Sequence, residues 1–239
     1  ALVMKLSEVQ LFDLFAKVRE WRDDDMEKAS ERQYAFWSMT AILSKELRSI
    51  FFNCMSTVVA DAVRELDVAA SILDPKKQAI KLAGGTKKQK LNDKMTTNHD
   101  VDKNALVRYV EPLLLCLEYT LKADAHDGGQ WIRADDNSRY HSLLGPLTKL
   151  LQSEQSLPGA ISCITSLACA AGNEQLWKPL NHGVLVACSN ERQSNVRNSG
   201  IRCLLSLIQA LGEEYMVLLP ECLPVLSELL EDSDEDTAG

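Results

Sequence analysis

Apolar residues recur along this chain at steps of three and four. That is the period of a helix lying against a core, and no stretch alternates convincingly as a half-buried strand would. The first run follows Ser7, which suits an N-cap, and extends to Trp21 with Leu11, Leu14, Phe15 and Val18 on its stripe. Arg22-Asp23-Asp24-Asp25 then breaks the pattern. Three adjacent carboxylates allow a cation site, but a turn whose acids favour the next helix N-terminus is the better reading. Helices are predicted over 27–47, with Phe36, Thr40, Leu43 and Leu47 inward, and over 48–68, with Phe51, Cys54, Val58 and Val63 inward. No strong breaker separates them, so one bent helix and two helices joined by a tight turn both stay open.

Residues 72–100 differ. They hold Lys76, Lys77, Lys81, Lys87, Lys88, Lys90 and Lys94 around Gly84-Gly85-Thr86, with few hydrophobics to offset the entropy of ordering. The expectation is a flexible basic loop over 72–101. Gly-Gly-Thr-Lys-Lys lacks the full phosphate-loop spacing and follows no strand, so a nucleotide site is rejected. Helical periodicity resumes at about Asp102 with Leu106, Val107, Val110, Leu113, Leu114, Leu117 and Leu121, and Pro112 is expected to kink that helix or mark its start. A polar loop is expected over 124–137, a helix over 138–151, and another opening at Pro158 with Ile161, Ile164, Leu167 and Ala168 inward.

The C-terminal third repeats itself. Laying Pro179 on Pro220 also lays Val184 on Val225 and Leu185 on Leu226, an offset of 41 residues (220 − 179) that suits HEAT or armadillo helix pairs. In the first unit helix A carries Leu176, Leu180, Val184, Ala187 and Cys188, and helix B carries Val196, Gly200, Cys203, Leu204, Leu207, Ile208 and Leu211 up to Gly212. Gly200 inside a helix costs about 1 kcal/mol relative to Ala, and close helix approach is the expected compensation. Helix A of the second unit is expected over 214–230, with Leu218, Leu219, Val225, Leu226, Leu229 and Leu230 available to the core, before an acidic turn at 231–236. Its partner helix should begin where the sequence stops, and the start without Met agrees with a piece of a longer protein. The expected fold is all-α, an α-solenoid divided as 1–71 helical repeats, 72–101 basic loop, 102–172 helical repeats and 173–239 HEAT-like repeats, the last incomplete.

Composition adds little against this. The chain is 46% hydrophobic and 25% charged, an ordinary globular balance, and its net charge of −8 argues against a general nucleic-acid coat. No contiguous apolar run reaches the roughly 18 residues of a membrane span. Seven cysteines, an odd count without a C-x-x-C pair, sit among apolar residues as buried free thiols of a reducing compartment would. Of four histidines, His99-Asp100 and His126-Asp127 superficially suggest a metal phosphohydrolase, but both pairs fall on predicted loops and read as solvated; His141 and His182 are isolated. No hydrolase, zincin or dinucleotide motif is present. No cofactor, metal or small-molecule substrate is expected. Trp177 is expected to pack between repeats.

Further residues carry a family resemblance. Glu174-Gln175-Leu176-Trp177-Lys178-Pro179-Leu180-Asn181, then Val196-Arg197, then Leu211-Gly212-Glu213-Glu214-Tyr215 through Leu218-Leu219-Pro220-Glu221, and Pro224, Leu226 and Glu228-Leu229-Leu230-Glu231-Asp232 follow one order and spacing. They resemble the C-terminal region of the large HEAT-repeat protein of the small-subunit processome, the Utp-ten family of yeast, called BP-twenty-eight or HEAT-repeat-containing protein one in animals. The upstream likeness is weaker. The resemblance implies a nucleolar, non-enzymatic scaffold of the UtpA subcomplex, joining processome proteins and pre-rRNA in ribosome biogenesis; it brings no catalytic residues. A general HEAT or armadillo adaptor in transport or signalling is the alternative. Candidate RNA or partner contacts are Lys76, Lys77, Lys87, Lys88, Lys90 and Lys94 in the basic loop, Arg197 and Arg202 beside the repeat turn, and the acidic turn. The loop has no aromatics for base stacking, so a solvated insertion is its competing reading.

Overall fold

A computed structural model describes residues 7–24, 29–73, 95–152, 158–191 and 193–231, with the backbone alone for residues 29 and 95–107. Among them are nine α-helices and no strand: α1 (Glu8–Asp23), α2 (Ala29–Leu47), α3 (Phe52–Leu73), α4 (Met95–His126), α5 (Ala134–Leu151), α6 (Pro158–Ala171), α7 (Glu174–Cys188), α8 (Ser194–Leu211) and α9 (Leu219–Glu231). The odd helices α1, α3, α5, α7 and α9 pack in order against one another. The even helices α2, α4, α6 and α8 form a second layer, and each odd helix from α1 to α7 also packs on the even helix that follows it. Two layers of helices stacked in chain order make an α-solenoid. One apolar core runs between the layers from Leu11 to Leu229.

Local chemistry explains the element ends. The Ser7 hydroxyl accepts the Gln10 N–H at 3.3 Å while the Ser7 N–H donates to Gln10 Oε1 at 3.0 Å, a capping box that starts α1. Leu11 and Phe15 are buried as expected, but Leu14 is 46% exposed and the inner position two turns beyond Phe15 belongs to Arg22, 4% exposed. Arg22 and Asp23 are thus the last turn of α1, which corrects the expected turn at 22–25. Between α2 and α3 the chain makes a 3-10 turn, Arg48–Phe51, with Arg48 at φ 52°. The two-helix alternative is therefore the observed one. A bulky residue in the left-handed region costs on the order of 1 kcal/mol, set here against burial of Phe51 edge-on to Phe15 at 5.1 Å.

The expected loop at 72–101 is corrected at both ends. Helix α3 continues to Leu73 and α4 is already helical from Met95, while 74–94 lies outside the described residues. Helix α4 starts well before Pro112 and runs through it. The expected polar loop at 124–137 is half core. Asp124 is the last buried residue of α4, and its two carboxylate oxygens accept the Trp131 and Ile132 N–H groups at 2.7 and 2.9 Å. Those bonds draw Trp131 and Ile132 into the interior, where Trp131 stacks on Phe52 at 5.9 Å. Asp135, Asp136 and Asn137 take left-handed φ values of 55°, 55° and 61°, so regular helix in α5 begins at Ser138, as predicted.

The C-terminal repeat is seen directly. Asn181 and Cys222 are 41 positions apart, and Asn181 Nδ2 lies 3.6 Å from Cys222 Sγ while the Tyr215 hydroxyl donates to Asn181 Oδ1 at 2.7 Å. Equivalent positions of successive repeats thus stack. Residues Gly212–Leu218 form a 3-10 turn, so α9 begins later than position 214, and Leu230 is 81% exposed rather than in the core. The stretch Ser194–Glu231 holds an 18-residue window whose mean hydropathy would suit a bilayer span, although no contiguous apolar run in it is that long. Gly212 at φ 55° and the 3-10 turn break it into two packed helices.

Candidate functional site

Of the basic residues singled out in the sequence, Lys76, Lys77, Lys87, Lys88, Lys90 and Lys94 lie outside the described residues. Arg202 stands exposed on α8. Arg197 is only 4% exposed, and its Nη1 donates to the Asn190 carbonyl at 3.2 Å, bracing the α7–α8 turn from inside. The two arginines therefore do not form one patch. Arg197 instead lines a groove of about 340 Å³ between that turn and the C-terminal end of α9. Its floor is Cys188, Val225 and Leu229, and Glu191, Glu228 and Glu231 provide three carboxylates against the one guanidinium. Glu231 is the described part of the expected acidic turn. A second hollow of about 510 Å³ shares Ser189 and Val225 with the first and adds Leu185, Val186, Glu221 and His182. The pair makes an apolar trough with an acidic rim, the shape and charge that suit an amphipathic basic helix.

Topology sets which edge this trough occupies. Helices alternate in direction, so the turns within helix pairs lie on one edge and the turns between pairs on the other. The trough is on the within-pair edge, as are the end of α3 and the start of α4. Sequence reading missed the acids Glu221 and Glu228 as trough residues. The 41-residue offset already placed Glu221 one step from the layer contact at Asn181, which was the available signal.

A second cluster was missed entirely. Asp61 on α3 is met by Arg19 Nη2 and Arg22 Nη2 of α1, both at 2.9 Å, and by Arg64 Nη2 at 2.9 Å. One turn along, Glu65 accepts the Trp37 indole N–H of α2 at 2.6 Å and lies 3.9 Å from Arg22 Nη1. Burial works to raise the Asp61 pKa, but the hydrogen bonds from Arg19 and Arg22 outweigh it and hold the carboxyl below its usual range. For Glu65 burial wins over the Trp37 bond and lifts the carboxyl to about 7. These groups are consumed by structural partners; they clamp α1, α2 and α3 together. Burial also raises the thiols, Cys54 to about 11 and Cys116 to about 12, which keeps them protonated near neutrality.

Trp177 packs between α6 and α7 with its indole N–H on the Ala168 carbonyl at 2.8 Å. His126 is exposed at the end of α4 with Nδ1 3.3 Å from Asp127 Oδ1, His141 is exposed and edge-on to Tyr140, and His99 lies outside the residues with described side chains. Among the described residues no three His, Cys, Asp or Glu side chains gather as a metal site.

The sequence profile of the BP28CT (NUC211) domain matches residues 1–127, more than half of the chain. The chain belongs to the BP28CT family. That match lies over α1 to α4, upstream of the motifs at 174–232, so the half with the weaker visible likeness carries the family domain. Similarity to individual relatives runs over nearly the whole chain. An uncharacterised protein of Arabidopsis thaliana is 29% identical over 97% of this chain and 11% of its own length. Human HEAT repeat-containing protein 1 is 26% identical over 99% and 10%. The U3 small nucleolar RNA-associated protein 10 of Debaryomyces hansenii is 27% identical over 98% and 11%. The BP28CT chain thus spans about a tenth of the length of these relatives.

Proposed function

We propose that this BP28CT chain is a non-catalytic scaffold segment of ribosome biogenesis, working in the nucleolus within the small-subunit processome. The observation that carries the reading is similarity along almost the whole chain to proteins named for U3 small nucleolar RNA association and for HEAT repeats. A solenoid suits that work, because stacked helix pairs offer long surfaces and hold partners in register without converging polar groups on a reacting atom. The acidic trough at the α7–α8 turn takes a partner protein of the UtpA assembly through a basic amphipathic helix. Pre-rRNA contacts come from the lysines between 76 and 94.

Affinity purification of the tagged protein from nuclear extract, with a parallel preparation carrying Glu228→Lys and Glu231→Lys, tests this. The expected result is recovery of UtpA proteins and pre-rRNA with the wild type and weakened protein recovery with the double variant. Recovery of transport or signalling complexes in their place overturns the reading in favour of a general adaptor.

A further inference from the structure

On the edge opposite the acidic trough lies a hollow lined by cations. Here the C-terminal end of α2 and the Arg48–Phe51 turn face the C-terminal end of α4 across a pocket of about 460 Å³. Lys45, Arg48, Lys122 and His126 line it, with one carboxylate, Asp127, and with Ser44, Ser49 and Tyr119. Two carboxylates are close. Glu118 Oε1 pairs with Lys122 at 2.5 Å, and Asp127 sits beside His126. Lys45 and Arg48 have no carboxylate partner among the described residues, and Lys45 Nζ lies 5.7 Å from the centre of the Tyr119 ring. In a chain with a net charge of −8, two cations without an ion pair, facing a single lining carboxylate in one hollow, are not a background effect. Arg48 is also the residue held at φ 52°, and backbone strain of this kind gathers at binding sites.

We infer that this pocket is a phosphodiester-binding subsite for single-stranded RNA. Lys45 and Arg48 would neutralise successive backbone phosphates, Ser49 would add a hydroxyl donor, and Tyr119 would offer its ring to a base. Cations alone fit any phosphate. The aromatic ring beside them favours RNA over a phosphorylated peptide, because every nucleotide brings a stacking face as well as a charge. The inference deepens the reading of the chain as part of an RNA-associated scaffold and rests on it.

Anisotropy of a fluorescein-labelled oligouridylate, titrated with the chain across a salt series, tests the site. Lys45→Glu with Arg48→Glu is expected to weaken binding by roughly tenfold or more, and to lower the salt slope by about 1.4, the share of two phosphate contacts at ~0.7 each. Arg48→Gly separates binding from folding. Glycine adopts the left-handed turn without strain, so its melting temperature should hold or rise while RNA affinity falls. Unchanged RNA affinity in both pocket variants overturns the inference. So does displacement of bound oligouridylate by a phosphoserine peptide at equal phosphate concentration. If replacing Lys76, Lys77, Lys87, Lys88, Lys90 and Lys94 by Gln abolishes binding while the pocket variants do not, the pocket fails and the RNA-associated scaffold reading stands. If the wild-type chain binds no RNA, the pocket fails, and the purification above judges the scaffold by its proteins.

Discussion

Arg22 sits at a position that helical periodicity assigns to the core, yet it carries a charge inward. Its neighbours Asp61 and Glu65 do the same from α3. Replacing Arg22 by Ala leaves Asp61 with Arg19 and Arg64 and removes the cation nearest Glu65, which costs about 1–3 kcal/mol. A urea titration of the variant reads this as a lower midpoint. Glu65 gives the cluster a pH signature. Its folded pKa of about 7 lies above the ordinary glutamate value, so the folded state binds the proton more tightly and stability falls as pH rises from about 4.5 to about 7. Asp61 acts oppositely, losing its contribution only as pH falls below the ordinary aspartate range. Glu65→Gln keeps an acceptor for Trp37 and removes the ionisation. The variant should therefore gain stability over wild type near pH 8, on the order of 1–3 kcal/mol, and gain little near pH 4, as urea midpoints at the two pH values will show. Sequence reading missed these residues for a physical reason: charge is read as solvent-facing, and only the distant partners on α2 and α3 make its burial tolerable. Ser7 was legible because a capping box is local.

Among elements, the helix pair α7–α8 shows what sequence can and cannot set. Gly200 was expected to mark a close approach. A Cβ placed there would meet the Cys188 nitrogen at 2.6 Å and the Ala187 carbonyl carbon at 2.9 Å. Both are backbone atoms and cannot rotate aside. Gly200→Ala should therefore destabilise by about 1–3 kcal/mol despite the better helix propensity of alanine, lowering the thermal midpoint. Helix ends were less legible than helix cores. Apolar spacing alone places the start of α9 too early, because the step from Tyr215 to Leu218 suits a 3-10 turn as well as an α-helix. Residues 95–101 lack an apolar stripe although their backbone is helical, so sequence alone makes the loop at 72–101 too wide.

Across the whole molecule, each helix touches its near neighbours only, so damage should stay local. Asn181→Ala removes the acceptor of the buried Tyr215 hydroxyl and a layer contact to Cys222. Hydrogen exchange should report lost protection in α7, α8 and α9, with α1 to α4 unchanged. Loss of protection along the entire chain would contradict the nearest-neighbour picture. At this scale the solenoid was legible from a single 41-residue offset, but the cation-lined hollow was not. It arises from residues far apart in sequence, such as Lys45 and Lys122, that only the alternating direction of helices brings to one side. The basic loop expected over 72–101 also changes meaning, since the segment joins the two helices of one pair, α3 and α4, and does not fall between pairs.

The free cysteines have a practical consequence. Cys54, Cys116, Cys163, Cys188, Cys203 and Cys222 are buried, one in each of α3, α4, α6, α7, α8 and α9, and Cys169 alone is half-exposed. The molecule therefore carries its own array of chemical clocks. In native buffer an alkylating reagent should modify Cys169 first, and every later adduct marks the moment its own helix came loose. Read by peptide mass, the order of labelling becomes a map of which layer opens before which.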